Sequence, residues 1–262
     1  MALTLTSPVV AADVGAAPPG ELQTAIDLYH ARRDSEAKAA LEAIFAKEPQ
    51  NHAALSYLAR LAKRRKDWDE VIERYEFCLR LAPNNAEYWA NASEAYARKA
   101  QRDPVFSGLP NIRKCREAIV KAVELDPETV QYRVGLFEFY RAAPRLIGGS
   151  MKLAREQLAE IAKRDAGTAR MLEGKMALDE DDWAEAERAF RAAAELQPEK
   201  LEPRIALAEL LIRQKKYGAA REFFAQLLES TPDSFLARYQ LGRLAALSGE
   251  DLERGESCLR TY

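Results

Sequence analysis

Prolines at Pro49, Pro83, Pro127, Pro198 and Pro232 follow one another at intervals of 34, 44, 71 and 34 residues. The 44 is one 34-residue interval plus ten, and the 71 is two intervals plus three. Proline lacks the backbone N–H that would continue a helix, so a proline recurring at a fixed interval stops a helix at a fixed interval. About 34 residues hold two short helices and the turns that join them. A chain of such units gathers no single central core; each helix pair buries its apolar face on its neighbour. The composition agrees with helix throughout, because Ala, Leu, Glu and Arg are abundant. Twelve Gly and twelve Pro among 262 residues are too few for a loop-rich chain.

The residues inside each interval repeat as well. In 52–85, Leu55, Leu58, Ala59 and Ala62 fill first-helix slots, and Trp68, Val71, Tyr75 and Cys78 follow in the second helix before Pro83. Residues 167–200 give Gly174, Ala177, Trp183, Ala186, Phe190, Ala193 and Pro198, and 201–234 give Tyr217, Ala220, Phe224, Leu227 and Pro232. Small residues let the two helices of a unit approach closely, and the aromatics fill the gap between units. Asp67 with Glu70 and Asp182 with Glu185 read as helix starts, with Asn111 and Ser150 in equivalent places. These slots follow the pattern W-x2-L-G-x2-Y…A-x3-F…P, and the chain resembles the tetratricopeptide-repeat superfamily over about residues 20–262, in six units plus a partial seventh. The resemblance implies an all-α, right-handed α-solenoid of helix–turn–helix repeats over 21–262, whose common role is to bind other proteins.

Two units exceed the period. About ten extra residues lie near 102–111 in the third and about five within 143–150 in the fourth, where Ala166 also replaces the stop proline. Both join a first helix to a second, so both are expected on one edge of the array, where repeat proteins often carry function. Their apolar content (Val105, Phe106, Leu109, Leu146, Ile147) predicts that they pack on each other or on the helices beneath. The segment Ala143 to Ser150 (APRLIGGS) is similar to a loop in bacterial exported or envelope-associated repeat proteins of unassigned role.

A net charge of −2, with 39 basic and 41 acidic residues mixed along the chain, offers no overall basic field for nucleic acid. No apolar run is long enough to span a membrane. Cys78, Cys115 and Cys258 are too widely spaced for a zinc site or disulfide framework and read as buried free thiols. Residues 1–20 carry a single charge, Asp13, and the small-residue stretch Val10-Ala11-Ala12. They read either as a disordered leader or as the remnant of a signal cleaved after Ala12, giving an exported, periplasmic protein in the second case and a cytoplasmic one in the first.

Chemistry finds little support. His30 and His52 have no neighbouring cysteine, and phosphate loops, His-x-x-x-His pairs and Cys-x-x-Cys pairs are missing from the sequence. Asp179 to Asp182 lacks the alternating ligands of a calcium loop and reads as a solvated turn, and Gly148-Gly149 reads as a conformational need before an anion nest. No cofactor, metal or catalytic residue is expected. The first helices, which line the concave face of such an array, carry a ladder of Arg60, Glu94, Glu138, Lys175, Glu209 and Arg243 at repeat spacing. It serves either to tie repeats together or to read a charged peptide. Beside it, Met171, Leu178, Ile205, Ile212, Tyr239 and Leu247 form an apolar stripe suited to an extended peptide or an amphipathic helix. Arg133, Arg170, Arg204 and Arg238 occupy a slot where large apolar residues are common, their stems covering the next unit. Glu173 stands where Leu is usual and needs a partner, for which Arg141 and Arg145 are the candidates. The Lys/Asn/Arg clamp by which some members of the superfamily hold a chaperone carboxylate is incomplete, only Asn91 falling in a plausible slot.

The reading is therefore a protein-interaction scaffold, with a concave groove for a peptide and a second surface at the insertion edge. One rival is a small-ligand or enzymatic site at that edge around Glu173, Arg145 and Gly148-Gly149. Another is a structural subunit of a cell-envelope assembly. The last unit ends at Tyr262 inside its second helix, so Cys258, Leu259 and Tyr262 are expected near an uncovered face open to self-association.

Overall fold

The structure, a computed structural model, describes residues 19–103 and 105–261. Of the proposed leader, residues 1–18 lie outside the described residues, as does Tyr262. The chain divides into two compact units, Met1–Ser150 and Met151–Tyr262. In the first, α1 (Pro19–His30), α2 (Asp34–Lys47), α3 (His52–Arg64), α4 (Trp68–Leu81), α5 (Ala86–Arg102), α6 (Val105–Leu125) and α7 (Val130–Ala142) pack each on the next. The second holds α8 (Met151–Ala162), α9 (Ala166–Asp179), α10 (Trp183–Leu196), α11 (Glu202–Arg213), α12 (Tyr217–Ser230), α13 (Phe235–Ser248) and α14 (Leu252–Arg260), again packed in chain order. Among the described residues there is no strand.

The turns that make helix pairs are copies of one another. Arg32, Lys66, Asp181 and Lys215 each adopt a left-handed backbone (φ 58 to 62°) two residues before the next helix begins. The N–H of the following residue reaches back five residues, as from Asp67 to the Ala62 carbonyl (3.1 Å) and Asp182 to Ala177 (2.8 Å). This closure satisfies carbonyls that the helix end leaves open. Capping completes the reversal: Asp67 accepts from the Glu70 amide at 3.2 Å and Asp182 from Glu185 at 2.9 Å, as the sequence implied. Asp165 does the same for α9 at 2.8 Å, so that helix starts cleanly without a preceding proline.

Small residues sit where helices touch. A methyl group on Gly174 would stand 2.4 Å from the Phe190 ring, and one on Gly242 would stand 2.3 Å from Leu259. Glycine here is a matter of space. Tyr75, Phe190 and Phe224 are fully buried between helices, whereas Trp68 and Tyr217 are half-buried and Trp183 is 37% exposed. The last three open their helices (α4, α12 and α10), and a first-turn side chain reaches past the core, which corrects the expectation that all six aromatics are buried.

The longer units depart from the expected loops. The first insertion is absorbed into helix: α5 runs 17 residues and α6 runs 21, with Pro110 inside it. Asp103 is extended (φ −80°, ψ 152°), as suits a residue before proline, and the chain is helical again from Val105. Asn111 is therefore an interior helix residue and not a cap. Gly108 allows the two long helices to meet, since a methyl there would lie 3.0 Å from the Ala100 carbonyl oxygen. The second insertion forms a short 3-10 turn, Arg145–Ile147, with Gly148 left-handed at φ 102°.

Candidate partner-binding site

The groove candidates of the second unit sort by burial. Ile212 is buried in the core formed by α11 to α14, so it is unavailable to a ligand. Met171 and Leu178 are half-buried against the Phe190–Leu210 core, and Ile205 is half-buried. Tyr239 and Leu247 remain 43% and 48% exposed, with exposed Arg243 between them. Positions 239, 243 and 247 are four apart and share one face of α13, and Phe235 extends that face at 58% exposure. The opposite face of α13 supplies Ala237, Leu241, Leu244 and Ala245 to the core. Glu209 on α11 is exposed and Lys175 on α9 half-buried.

The charge ladder in the first unit is offset from the register read in the sequence. Arg60 pairs with Glu87 and lies 4.7 Å over the Tyr57 ring, while Glu94 pairs with Lys63. Arg60 and Glu94 are thus not partners. Long side chains on stacked helices reach the nearest turn of the neighbour, and partners here fall 27 and 31 residues apart. Glu138 pairs with Arg141 on its own helix at 2.7 Å. Glu173 pairs with Arg170 at 2.6 Å, also within one helix turn, which replaces the expected partner from Arg141 or Arg145. Residues three apart on a helix face are already neighbours, so the local pair wins. Both members are substantially solvent-exposed, and such a pair contributes under about 1 kcal/mol.

The arginine column does something the sequence reading missed. Arg133 Nε donates to the Pro127 carbonyl at 2.8 Å and Arg238 Nη2 to the Pro232 carbonyl at 2.6 Å. Trp89 Nε1, in the same slot, donates to the Pro83 carbonyl at 2.7 Å. Each donor lies six residues beyond the stop proline and satisfies its carbonyl at the helix–helix junction. The recurring spacing from Pro to Arg or Trp was the available signal. Arg133 and Arg238 are therefore structural, while Arg170 turns to Glu173 and Arg204 is exposed without such a bond.

At the insertion edge Leu146 is 97% exposed, so it packs neither on Leu109, which is half-buried, nor on the helices. The Phe106 side chain lies outside the described residues. Four backbone hydrogen bonds nevertheless hold the turn: Ile147 and Gly149 donate to the Pro144 carbonyl, Gly148 to Arg145, and Ser150 to Tyr140, at 2.8 to 3.1 Å. Gly149 is buried so tightly that a methyl on it would stand 1.6 Å from the Ala143 oxygen. The Arg116 side chain lies against Gly148. Arg145 is exposed.

Two concavities lie on the surface of the described residues. A polar cleft of about 380 Å³ at the α3–α4 turn is lined by Lys66, Trp68, Lys99, Arg102 and Asp103. A shallow groove of about 550 Å³ lies between α13 and α14, with Leu252 and Leu259 exposed at its lip. His52 is occupied structurally, its Nδ1 sharing a 2.8 Å hydrogen bond with the Tyr88 hydroxyl. Burial pushes the Cys78 thiol up to about 12 and raises that of Cys115, which disfavours the reactive thiolate at both. Among the described residues no group of three His, Cys, Asp or Glu side chains is placed to hold a metal ion, and no helix is long and apolar enough to cross a membrane.

Paired antiparallel helices stacked in chain order, with an exposed face on the first helix of a pair, define a helical-repeat protein of the right-handed α-solenoid class. Residues 177–247 match the family model described as tetratricopeptide repeat, and both units have the fold of tetratricopeptide-repeat proteins. No curated protein matches the chain. Among solved structures it is similar to TTC0263, a thermophilic TPR protein of Thermus thermophilus, at 20% identity with TM-score 0.60, over 75% of this chain and 100% of that one. A tetratricopeptide repeat protein from Parabacteroides merdae is similar at 16% identity with TM-score 0.65, over 92% of this chain and 90% of that one. YrrB, a TPR protein with an unusual peptide-binding site, is similar at 15% identity with TM-score 0.54, over 78% of this chain and 94% of that one. At these identities the likeness is one of fold.

Proposed function

We propose that this chain is a non-catalytic scaffold that binds a peptide or partner segment along the exposed face of its first helices, with a second surface at the turn of 143–150. The α13 stripe carries the reading. Tyr239 and Leu247 flank Arg243 on one solvent-facing side of a helix whose other side is fully committed to the core. Large apolar side chains around one cation suit an extended or helical peptide with an apolar residue at alternate turns and an acidic one between. A preformed helical surface orders little on binding, which lowers the entropic cost. Protein partners are favoured over nucleic acid because the chain carries a net charge of −2. The ordered Arg145–Ile147 turn supports the second surface.

Peptides selected from a random display library on the intact protein test the groove. Binding of the selected peptides is expected to weaken at least about tenfold in Tyr239→Ser combined with Leu247→Ser, with helical content and melting temperature unchanged. Peptides that bind the double variant as tightly as the parent would place the site elsewhere. An exported location rests on the sequence of residues 1–20, and N-terminal sequencing of the mature protein from its source cell tests it: a start at Asp13 supports cleavage after Ala12, and retention of the first residues excludes it.

A further inference from the structure

We infer that the turn of 143–150, together with the outer face of α6, docks an acidic, apolar protein segment: carboxylates on three arginines and an apolar side chain on Leu146. The inference rests on the scaffold reading and names the partner for its second surface.

Charge is the first observation. Between residues 103 and 126 four basic residues (Arg113, Lys114, Arg116, Lys121) are balanced by four acidic ones (Asp103, Glu117, Glu124, Asp126), so charge matters here only where it is unpaired. Between 138 and 150 the chain has Arg141 and Arg145 against Glu138. Lys114 is taken by Glu76, Lys121 by Glu124 and Arg141 by Glu138. Arg113, Arg116 and Arg145 have no carboxylate within ion-pair distance among the described residues, whereas Arg33, Arg60, Arg64, Arg65, Arg74 and Arg141 do.

Geometry sets Arg113 and Arg116 on α6 and lays Arg116 against the turn that carries Arg145. Arg113 and Arg116 are one helix turn apart on α6 and both exposed. The Cδ, Nε and Nη1 atoms of Arg116 would stand 3.2 to 3.3 Å from a methyl group on Gly148, three residues after Arg145. The side chain is therefore laid along the turn and oriented before any partner arrives. A guanidinium ordered in advance loses less freedom on pairing with a carboxylate.

Leu146 is the second observation. A leucine that is 97% exposed, on a turn fixed by four backbone hydrogen bonds, is held in water by the local backbone. It contributes nothing to this unit's core, and half-buried Ile147 beside it widens the apolar spot. Charge and apolarity at one place favour a protein segment over a phosphate-bearing ligand, which offers no side chain to cover Leu146.

The test uses three labelled peptides and fluorescence anisotropy on the full chain. One peptide carries Glu and Leu at helical spacing, the second has Ser for every Leu, and the third has Lys for every Glu. The first is expected to bind, more weakly as salt rises from about 0.05 to 0.3 M. The second and third should bind at least about tenfold more weakly. Arg116→Ala with Arg145→Ala, and separately Leu146→Ser, should each weaken the first peptide by a similar factor while the circular dichroism spectrum stays unchanged. Tyr239→Ser with Leu247→Ser should leave that binding intact. Binding that ignores the edge variants, or equal binding of the Glu/Ser peptide, overturns the inference. Display-selected peptides that depend on Tyr239 and Leu247, with no binding of the Glu/Leu peptide, overturn it alone and leave the groove reading standing. Failure of both kinds of peptide removes both.

Discussion

Gly174 and Gly218 are both helical, yet they answer to different physics. At Gly174 the neighbour is the buried Phe190 ring, 2.4 Å from where a methyl would sit, while nothing lies within 4 Å of the same point on Gly218. Gly174→Ala is expected to cost about 1–3 kcal/mol, because the core must move to admit it. Gly218→Ala is expected to gain roughly 0.4–1 kcal/mol by reducing the freedom of the unfolded chain. Urea denaturation of the two variants compares them directly. The arginine column offers a second contrast. Arg133→Met keeps an apolar stem and removes the bond to the Pro127 carbonyl, so it should cost about 1–2 kcal/mol. Exposed Arg204 holds the same slot without such a bond, and Arg204→Met should stay within about 0.5 kcal/mol of the parent.

At the scale of the helix, the Asp165 cap contributes to acid sensitivity. Partial burial raises the Asp165 carboxyl, but hydrogen bonds from the Thr168 amide and hydroxyl and the charge of Lys200 more than offset this, holding it below the usual carboxylate range. A folded-state value below the unfolded one stabilises the fold at neutral pH, and that contribution is lost as pH falls through the folded value. The denaturation midpoint should therefore fall as pH drops from about 5 to 3. Asp165→Asn keeps an acceptor for the Thr168 amide and cannot titrate, so its midpoint should fall less over the same interval. An equal fall in both proteins would assign the acid sensitivity to other carboxylates. The same scale explains the longest pair, α5 and α6. Where the left-handed turn residue recurs, as at Lys66 and Lys215, the pair is compact. Among the described residues no positive φ is found between Lys66 and Gly148, and there the chain lengthens α5 and α6.

For the molecule as a whole, a chain of neighbour contacts opens piecewise, and its thiols report where. Cys78 and Cys115 belong to the first unit and Cys258 to the second. Cys258 sits on α14, a helix of nine residues, and is less completely enclosed than Cys78. In native buffer a thiol reagent is expected to label Cys258 first, with Cys78 and Cys115 protected until larger openings occur. Mass spectrometry after timed labelling resolves the three sites. Equal rates would mean that the chain opens as one cooperative body.

The 34-residue proline interval and the Gly and Ala slots were enough to determine helix pairs, the Asp67 and Asp182 caps and the buried aromatics Tyr75, Phe190 and Phe224, because each depends on local backbone chemistry or on spacing within one repeat. Free, buried cysteines followed from the same helical faces. Which charges pair did not follow, since Arg60 and Glu94 share a column in the sequence while reach between stacked helices sends them to Glu87 and Lys63. Nor did the fate of the ten extra residues: helix extension and loop have similar local propensities at 105–111, and packing of α5 on α6 decides between them. Ile212 and Leu247 look alike in the sequence as apolar residues of first helices. Only the packing of α11 and α13 against their neighbours buries the first and leaves the second in water, because burial is a property of what lies opposite a side chain and not of the side chain.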